Sequence, residues 1–392
     1  MGTVASAPKP GIIKGVITSR PAAPRDRLRQ IDWATVGVVL LICIGGVLAI
    51  KSARHGDPHP LDLVRKQGVG VVLGGGLMLA AALSDYGVLL KRIARYLYPL
   101  NLALLSVVLI GHVGHSSHGA QRWISLGPVQ LQPSEFAKVI LICTLALFLV
   151  RHRETLHTWP TLLHSLGHIG VPMLLIAKQP DLGTSLVLLA IWLGMTAMAG
   201  ARPVHLLLVL LAGTVLFAGM WHYGVLLKDY QKNRLEVFLN PDADPRDSGY
   251  HLRQSEIAIG SGQFTGEGYG HGEQASGNFI PEQHTDFIFT VIGEEGGFVG
   301  CIVLLALYLF VLERGVLATE GCEDTLGRLL ATGVLSLLTF HIVVNVGMTM
   351  GIMPVVGVPL PFFSYGLSSL LVNFAAVGLL LSVAARRRRV VF

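Results

Sequence analysis

Five titratable side chains crowd into one stretch of a charge-poor chain. NFIPEQHTDFIFTVIGEEGGF, residues 278–298, carries Glu282, His284, Asp286, Glu294 and Glu295 where a long apolar run begins. A carboxylate at the edge of such a run can serve as a general base, taking the proton from an attacking hydroxyl. Asp286 is the first choice because it opens the run, where a helix dipole also favours a negative charge. The same place suits a plain helix cap, so the two readings compete. His284 is the alternative base, and Glu282 puts a like charge nearby. Glu294 lies eight residues further on, about 12 Å deeper at 1.5 Å per residue. A carboxylate at that depth must be protonated, paired or beside a wet cavity; His341 and Asn345 are candidate partners.

A second cluster is QPSEFAKV, where Glu135 and Lys138 share a helical face three residues apart. They form either a structural ion pair or a functional one. Ser134, behind Pro133, is placed to cap that helix. The third stretch, GMTMGIMPVVGVPLPFFSYGLSS, has no charge, but Pro354, Pro359, Pro361 and several glycines break any helix. Irregular apolar backbone survives at membrane depth only where protein buries it or a cavity runs beside it. We therefore expect an outer hollow lined in part by Ser364, Tyr365, Ser368 and Ser369. HVGHSSH spaces His112, His115 and His118 as metal ligands could be, yet its glycine and serines favour a loop. GEGYGHGEQASG lacks the preceding strand and following Lys-Ser/Thr of a phosphate-binding loop, and reads as a mobile outer loop. The four cysteines show no CxxC or metal-type spacing.

These groups need elements to carry them. The 392-residue chain is 52% hydrophobic and 14% charged, against about 25% charged in soluble proteins. Its apolar residues come in blocks, and a helix needs about 20 such residues to cross a bilayer. Blocks fall near 33–51, 67–85, 96–114, 134–150, 162–178, 183–200, 204–223, 286–312, 326–350 and 365–385. The predicted fold is an all-α polytopic membrane protein of about ten transmembrane helices, with a large extracytoplasmic loop, 224–285, between helices 7 and 8. Residues 1–32 form a basic tail without a signal-peptide core, residues 33–385 the membrane domain, and residues 386–392 a basic end. An even span count puts both termini on one side. Lys91, Arg92, Arg95, Arg151, Arg153, Arg202, Arg314, Arg328 and the run Arg386 to Arg389 then mark that side as cytoplasmic. Lys51, Arg54, Arg65 and Lys66, between spans 1 and 2, are the exception. This orientation puts Asp286 at the outer face.

Taken together, GAQRWISLGPVQLQPSEFAKV, IAKQPDLGTSLVLL, FIPEQHTDFIFTVIGEEGGFVG and NVGMTMGIMPVVGVPLPFFSYGLSSLL resemble, in that order, the motifs of the SEDS family (shape, elongation, division and sporulation). The resemblance runs from about residue 30 onward and leans toward the elongation branch. It implies a peptidoglycan glycosyltransferase in the bacterial cytoplasmic membrane, polymerising lipid II, an undecaprenyl-diphosphate disaccharide-pentapeptide, into lipid-linked glycan. By motif, Asp286 matches the essential acid, and Trp123, Glu135 and Lys138 match further sensitive positions. The implied partner is a class B penicillin-binding protein, a single-span transpeptidase; membrane lipids surround the chain, and no nucleic acid is called for. Because diphosphate is already a good leaving group, one base with cationic help suffices, unlike the two carboxylates of glycosidases. Arg122, Lys138 and Lys66 are candidate cations, and Mg²⁺ could share the task. The competing function is a lipid II flippase, since intramembrane charge and broken helices suit a transporter too. No internal repeat is visible, however, and the suspect groups gather at one face.

Overall fold

A computed structural model describes residues 28–54, 60–110, 114–117, 120–126, 129–223, 229–240, 248–277, 279–280 and 283–386. The apolar blocks fold as ten helices: α1 Trp33–Ala53, α2 Pro60–Leu83, α3 Tyr86–Leu109, α4 Pro133–Arg151, α5 Trp159–Lys178, α6 Leu182–Met198, α7 Pro203–Tyr223, α11 Ile288–Glu320, α12 Thr325–Thr349 and α13 Leu367–Ala384. Among the described residues nine are long and apolar enough to span a membrane, and α6, at 17 residues, is the shorter tenth. The loop between α7 and α11 carries three further helices, α8 Asp229–Leu239, α9 Ser248–Ser261 and α10 Glu273–Ser276.

Local chemistry sets the helix ends. Asp32, Asp85, Asp181 and Asp324 cap α1, α3, α6 and α12, each carboxylate accepting backbone N–H bonds that the first turn cannot satisfy internally. Helix α4 starts differently. Pro133 occupies its first position and Gln132 the cap, with no side-chain cap bond. The expected Ser134 cap is therefore absent, and its hydroxyl donates to Asp181 Oδ2 at 3.3 Å.

Small residues set the closest packing. Helices α2 and α13 make the most extensive helix pair. A Cβ on Gly74 would collide with the Phe374 ring, and one on Gly378 with the Met78 carbonyl oxygen. Such close approach is how helices associate where the solvent is as apolar as the side chains. At the far edge α7 buries only His205.

Contacts at the helix ends define two faces. Arg314 of α11 pairs with Asp32 before α1 at 3.5 Å, and Arg386 after α13 with Asp85 at 2.9 Å. Tyr86 donates to Asp324 at 3.1 Å. The start of the first span and the end of the last thus share a face, as an even count requires.

Two features depart from the sequence reading. The third apolar block ends early, and a three-stranded antiparallel sheet follows it: β1 Gly114–Ser117, β2 Ala120–Leu126 and β3 Val129–Leu131, in the order β1-β2-β3. His115 lies in β1 opposite Trp123, while His112 and His118 lie outside the described residues.

The other departure is the glycine-rich loop, which the structure ties down. Gly297 takes φ 58° and ψ −160°, interrupting α11, a conformation that favours glycine. The backbone groups freed by the break find partners in residues 263–268. Glu267 and Gly268 N–H donate to the Glu294 and Glu295 carbonyls at 3.0 and 3.1 Å; Phe298 and Val299 N–H donate to the Gln263 and Phe264 carbonyls at 2.9 and 3.2 Å. In a bilayer an unmade backbone bond costs several kcal/mol, so this loop is what allows the span to break.

Candidate active site at the mouth of the eighth span

Asp286 sits on the turn before α11. Phe287 is the N-cap of that helix and makes no side-chain cap bond, so Asp286 does not cap it. The turn is held from the side by Asn345 of α12. Its Nδ2 donates to the Asp286 carbonyl at 2.8 Å and to the Val358 carbonyl at 2.7 Å. One buried amide thus fixes the peptide of Asp286 against the irregular segment 351–366.

That segment is irregular in shape, and several of its backbone groups find partners on neighbouring elements. His341 bonds the Pro359 carbonyl through Nδ1 at 2.9 Å, and Tyr308 donates to the Pro361 carbonyl at 2.6 Å. Gln67 Nε2 donates to the Ser364 carbonyl at 3.1 Å, and its Oε1 accepts from Gly366 N–H at 3.4 Å. Tyr365 N–H donates to the His284 carbonyl at 2.9 Å, and the two rings lie 5.7 Å apart. Helix α6 comes close enough that a Cβ on Gly183 would stand 2.7 Å from the Val356 carbonyl oxygen. Residues 360–364 are buried by protein, as apolar irregular backbone at membrane depth must be, whereas 353–357 are half-buried and Ile352 is exposed.

The predicted site residues divide by this geometry. Glu135 and Lys138 meet at 2.6 Å and are both buried. Lys138 Nζ also lies 3.2 Å from His341 Nε2. With Nδ1–H donating to Pro359, Nε2 is left to accept from the ammonium, so the ion pair is linked to the segment beside Asp286. Arg122, half-buried in β2, directs Nε to the Gln179 carbonyl at 2.8 Å and Nη2 to the Pro180 carbonyl. Its guanidinium therefore holds the sheet to the α5–α6 turn. Trp123, its half-buried neighbour, lies on the same strand. Lys66 is exposed on α2; its neighbour Gln67 is the residue that reaches the segment. Glu282 lies outside the described residues.

Ser364 closes a turn, its hydroxyl accepting from Leu360 N–H at 2.8 Å. Ser368 accepts from Gln132 N–H at 3.0 Å. Two cavities lie elsewhere in the molecule. One of about 460 Å³ opens between α6 and α12, lined by Thr332, Ser336 and Thr339 among apolar groups. The other, about 320 Å³, is bounded by Lys51, Ser52, Tyr269, Gly270 and His271.

The intramembrane glutamates have partners other than those expected. Glu294, fully buried, accepts from Gln274 and Ala275 N–H at 2.6 and 2.9 Å. Glu295 accepts from the Ser52 hydroxyl. Both tie the outer loop and α1 to the broken helix, while His341 and Asn345 serve Lys138 and Asp286.

Two residues escaped the sequence reading. Asp181, buried, accepts from Thr184 N–H and Oγ1, Ser134 and Gln132, joining two of the motifs. Its signal is Asp three residues before Thr at a helix start. Arg234 of α8 is the other. The point where a Cβ would sit on Gly357 lies 3.2 Å from Asp286 Oδ2 and 3.6 Å from Arg234 Nη1. Among the described residues no three His, Cys, Asp or Glu side chains gather as a metal cage. A Mg²⁺ at Asp286 would draw most of its oxygens from phosphate and water, as that ion commonly does.

The sequence profile of the FtsW, RodA and SpoVE family, described as a cell cycle protein, matches residues 28–389. The peptidoglycan glycosyltransferase MrdB of Escherichia coli K12 is 42% identical over 365 residues, covering 92% of this chain and 95% of MrdB. A probable peptidoglycan glycosyltransferase FtsW of Geobacter metallireducens is 36% identical, covering 92% and 94%. A chain solved for the structural coordination of polymerization and crosslinking by a peptidoglycan synthase complex superposes with TM-score 0.74 at 33% identity, covering 92% of this chain and 99% of that one. The rod shape determining protein RodA of Thermus thermophilus superposes with TM-score 0.67 at 32% identity, covering 92% and 98%. With a profile match over nearly its whole length and relatives this similar, the chain is a multi-pass membrane protein that belongs to the FtsW, RodA and SpoVE family.

Proposed function

We propose that this chain is a peptidoglycan glycosyltransferase, polymerising lipid II at the outer face of a bacterial cytoplasmic membrane during cell elongation, with Asp286 as its general base. The glycosyltransferase and rod-shape names of its relatives support the activity and the process. Support for the base comes from one observation above all: the peptide of Asp286 is clamped by Asn345 to the segment on which the family motifs converge.

In the reaction, the Asp286 carboxylate takes the proton of the acceptor sugar's hydroxyl. That oxygen forms a bond to the donor's anomeric carbon, whose bond to the diphosphate oxygen breaks. The diphosphate leaves with the electron pair, and the proton passes from Asp286 to water. Since the leaving group is stable as an anion, no second carboxylate is required to protonate it. Glu135, Lys138 and His341 act through position, by holding Pro359. Trp123 and Arg122 act through the sheet that lies over the α5–α6 turn. If a Mg²⁺ is bound, Asp286 would be the residue to hold it, and the ion would supply charge neutralisation for the diphosphate. Both termini are cytoplasmic in this reading, and a class B penicillin-binding protein crosslinks the product.

Purified protein incubated with labelled lipid II in detergent should give a ladder of glycan on a gel. No polymer, together with lipid II translocation in proteoliposomes, would replace the polymerase with a transporter.

A further inference from the structure

Departing diphosphate carries more charge than the apolar segment around Gly357 can hold, so a cation from another element must meet it. The cations named from sequence are placed elsewhere than the point above Gly357, whose nearest atoms belong to Asp286 and Arg234. Arg122 faces two carbonyls, Lys138 is buried against Glu135 and His341, and Lys66 is exposed on α2.

Arg234 is differently placed. It is half-buried on α8, in the outer loop, and both its Nη1 and Nη2 come within 4.0 Å of the Cβ position of Gly357. The Asp286 carboxylate reaches the same point from the opposite element. Gly357 takes φ +72°, so the backbone conformation itself keeps that point free of a side chain. A guanidinium's planar fork matches two phosphate oxygens at once, which a lysine cannot do.

We propose that Arg234 binds the diphosphate of the lipid-linked substrate over Gly357, next to Asp286. The proposal rests on the polymerase reading for its substrate class, but it is tested by binding alone. Undecaprenyl diphosphate and undecaprenol would be titrated into the purified full chain in detergent. Arg234→Gln should weaken diphosphate binding by at least about tenfold, a loss of one good charge-assisted contact, and leave undecaprenol binding unchanged. Arg234→Lys should fall between. Diphosphate binding within about twofold of the parent in a folded Arg234→Gln variant would overturn the assignment. Should that variant fail to fold, the parent protein supplies the test through phenylglyoxal labelling of Arg234 read by mass spectrometry. Undecaprenyl diphosphate should slow the labelling and undecaprenol should not; equal labelling with both overturns the proposal. A fully active Asp286→Asn protein would remove the general base and leave the Arg234 result standing, so the two failures are distinguishable.

Discussion

Lys138 shows how far single residues could be read. Its pairing with Glu135 follows from three-residue spacing on one helix, and the 2.6 Å contact is what that spacing implies. Its second partner, His341, lies some two hundred positions away, and nothing local announces it. The same holds for Asn345, which was a candidate partner for Glu294 and instead clamps Asp286, and for Arg234, whose convergence on Gly357 is purely tertiary. Removing one member of a buried pair leaves a charge without compensation and costs about 3–5 kcal/mol. Glu135→Leu and Lys138→Met should each lower the melting temperature sharply, whereas the double variant should lose clearly less than the sum of the two. Simple additivity in thermal unfolding would mean that the two side chains are energetically independent.

Elements were legible where hydrophobicity alone decides them. Each of the ten apolar blocks became a helix, and the short turn of Gln179, Pro180 and Asp181 separates α5 from the short α6. The sheet between α3 and α4 was not legible, because its strands are three to seven residues long and lack alternation. The anchoring of residues 263–268 was hidden for another reason: it is made by backbone groups, which carry no sequence signal. Glu294 completes that anchoring from the side chain. Glu294→Gln would keep the size but turn one acceptor into a donor facing an N–H, at a cost of about 1–3 kcal/mol. Amide hydrogen exchange in 266–276 should accelerate while α12 stays protected, and unchanged exchange there would contradict the clamp. In the α2–α13 contact, Gly378→Ala should destabilise by about 1–3 kcal/mol, because backbone rather than a flexible side chain stands in the way. A variant that melts with the parent would mean that the two helices can separate without loss.

For the whole molecule, the even span count and the basic-residue bias predicted one face for both termini and the opposite face for Asp286. The pairs Arg314–Asp32 and Arg386–Asp85, with the Tyr86–Asp324 bond, place the start of the first span and the end of the last on one face. Labelling chemistry reads the side of the membrane directly. A cysteine at Ser276 should react with an impermeant thiol reagent in intact cells, and one at Glu320 should not; both positions are exposed. The reverse pattern would put Asp286 in the cytoplasm, away from outer-face substrate. The most direct measurement is the polymerisation rate of Asp286→Asn on labelled lipid II, beside the parent protein at equal amounts. The substitution keeps the side chain's size and leaves the Asn345 bond to the backbone carbonyl untouched. A folded, membrane-inserted variant should lose about 10² to 10⁴ in rate, the usual contribution of a general base. Activity within about tenfold of the parent would contradict the account, and normal activity there with loss in His284→Ala would move the base to the histidine.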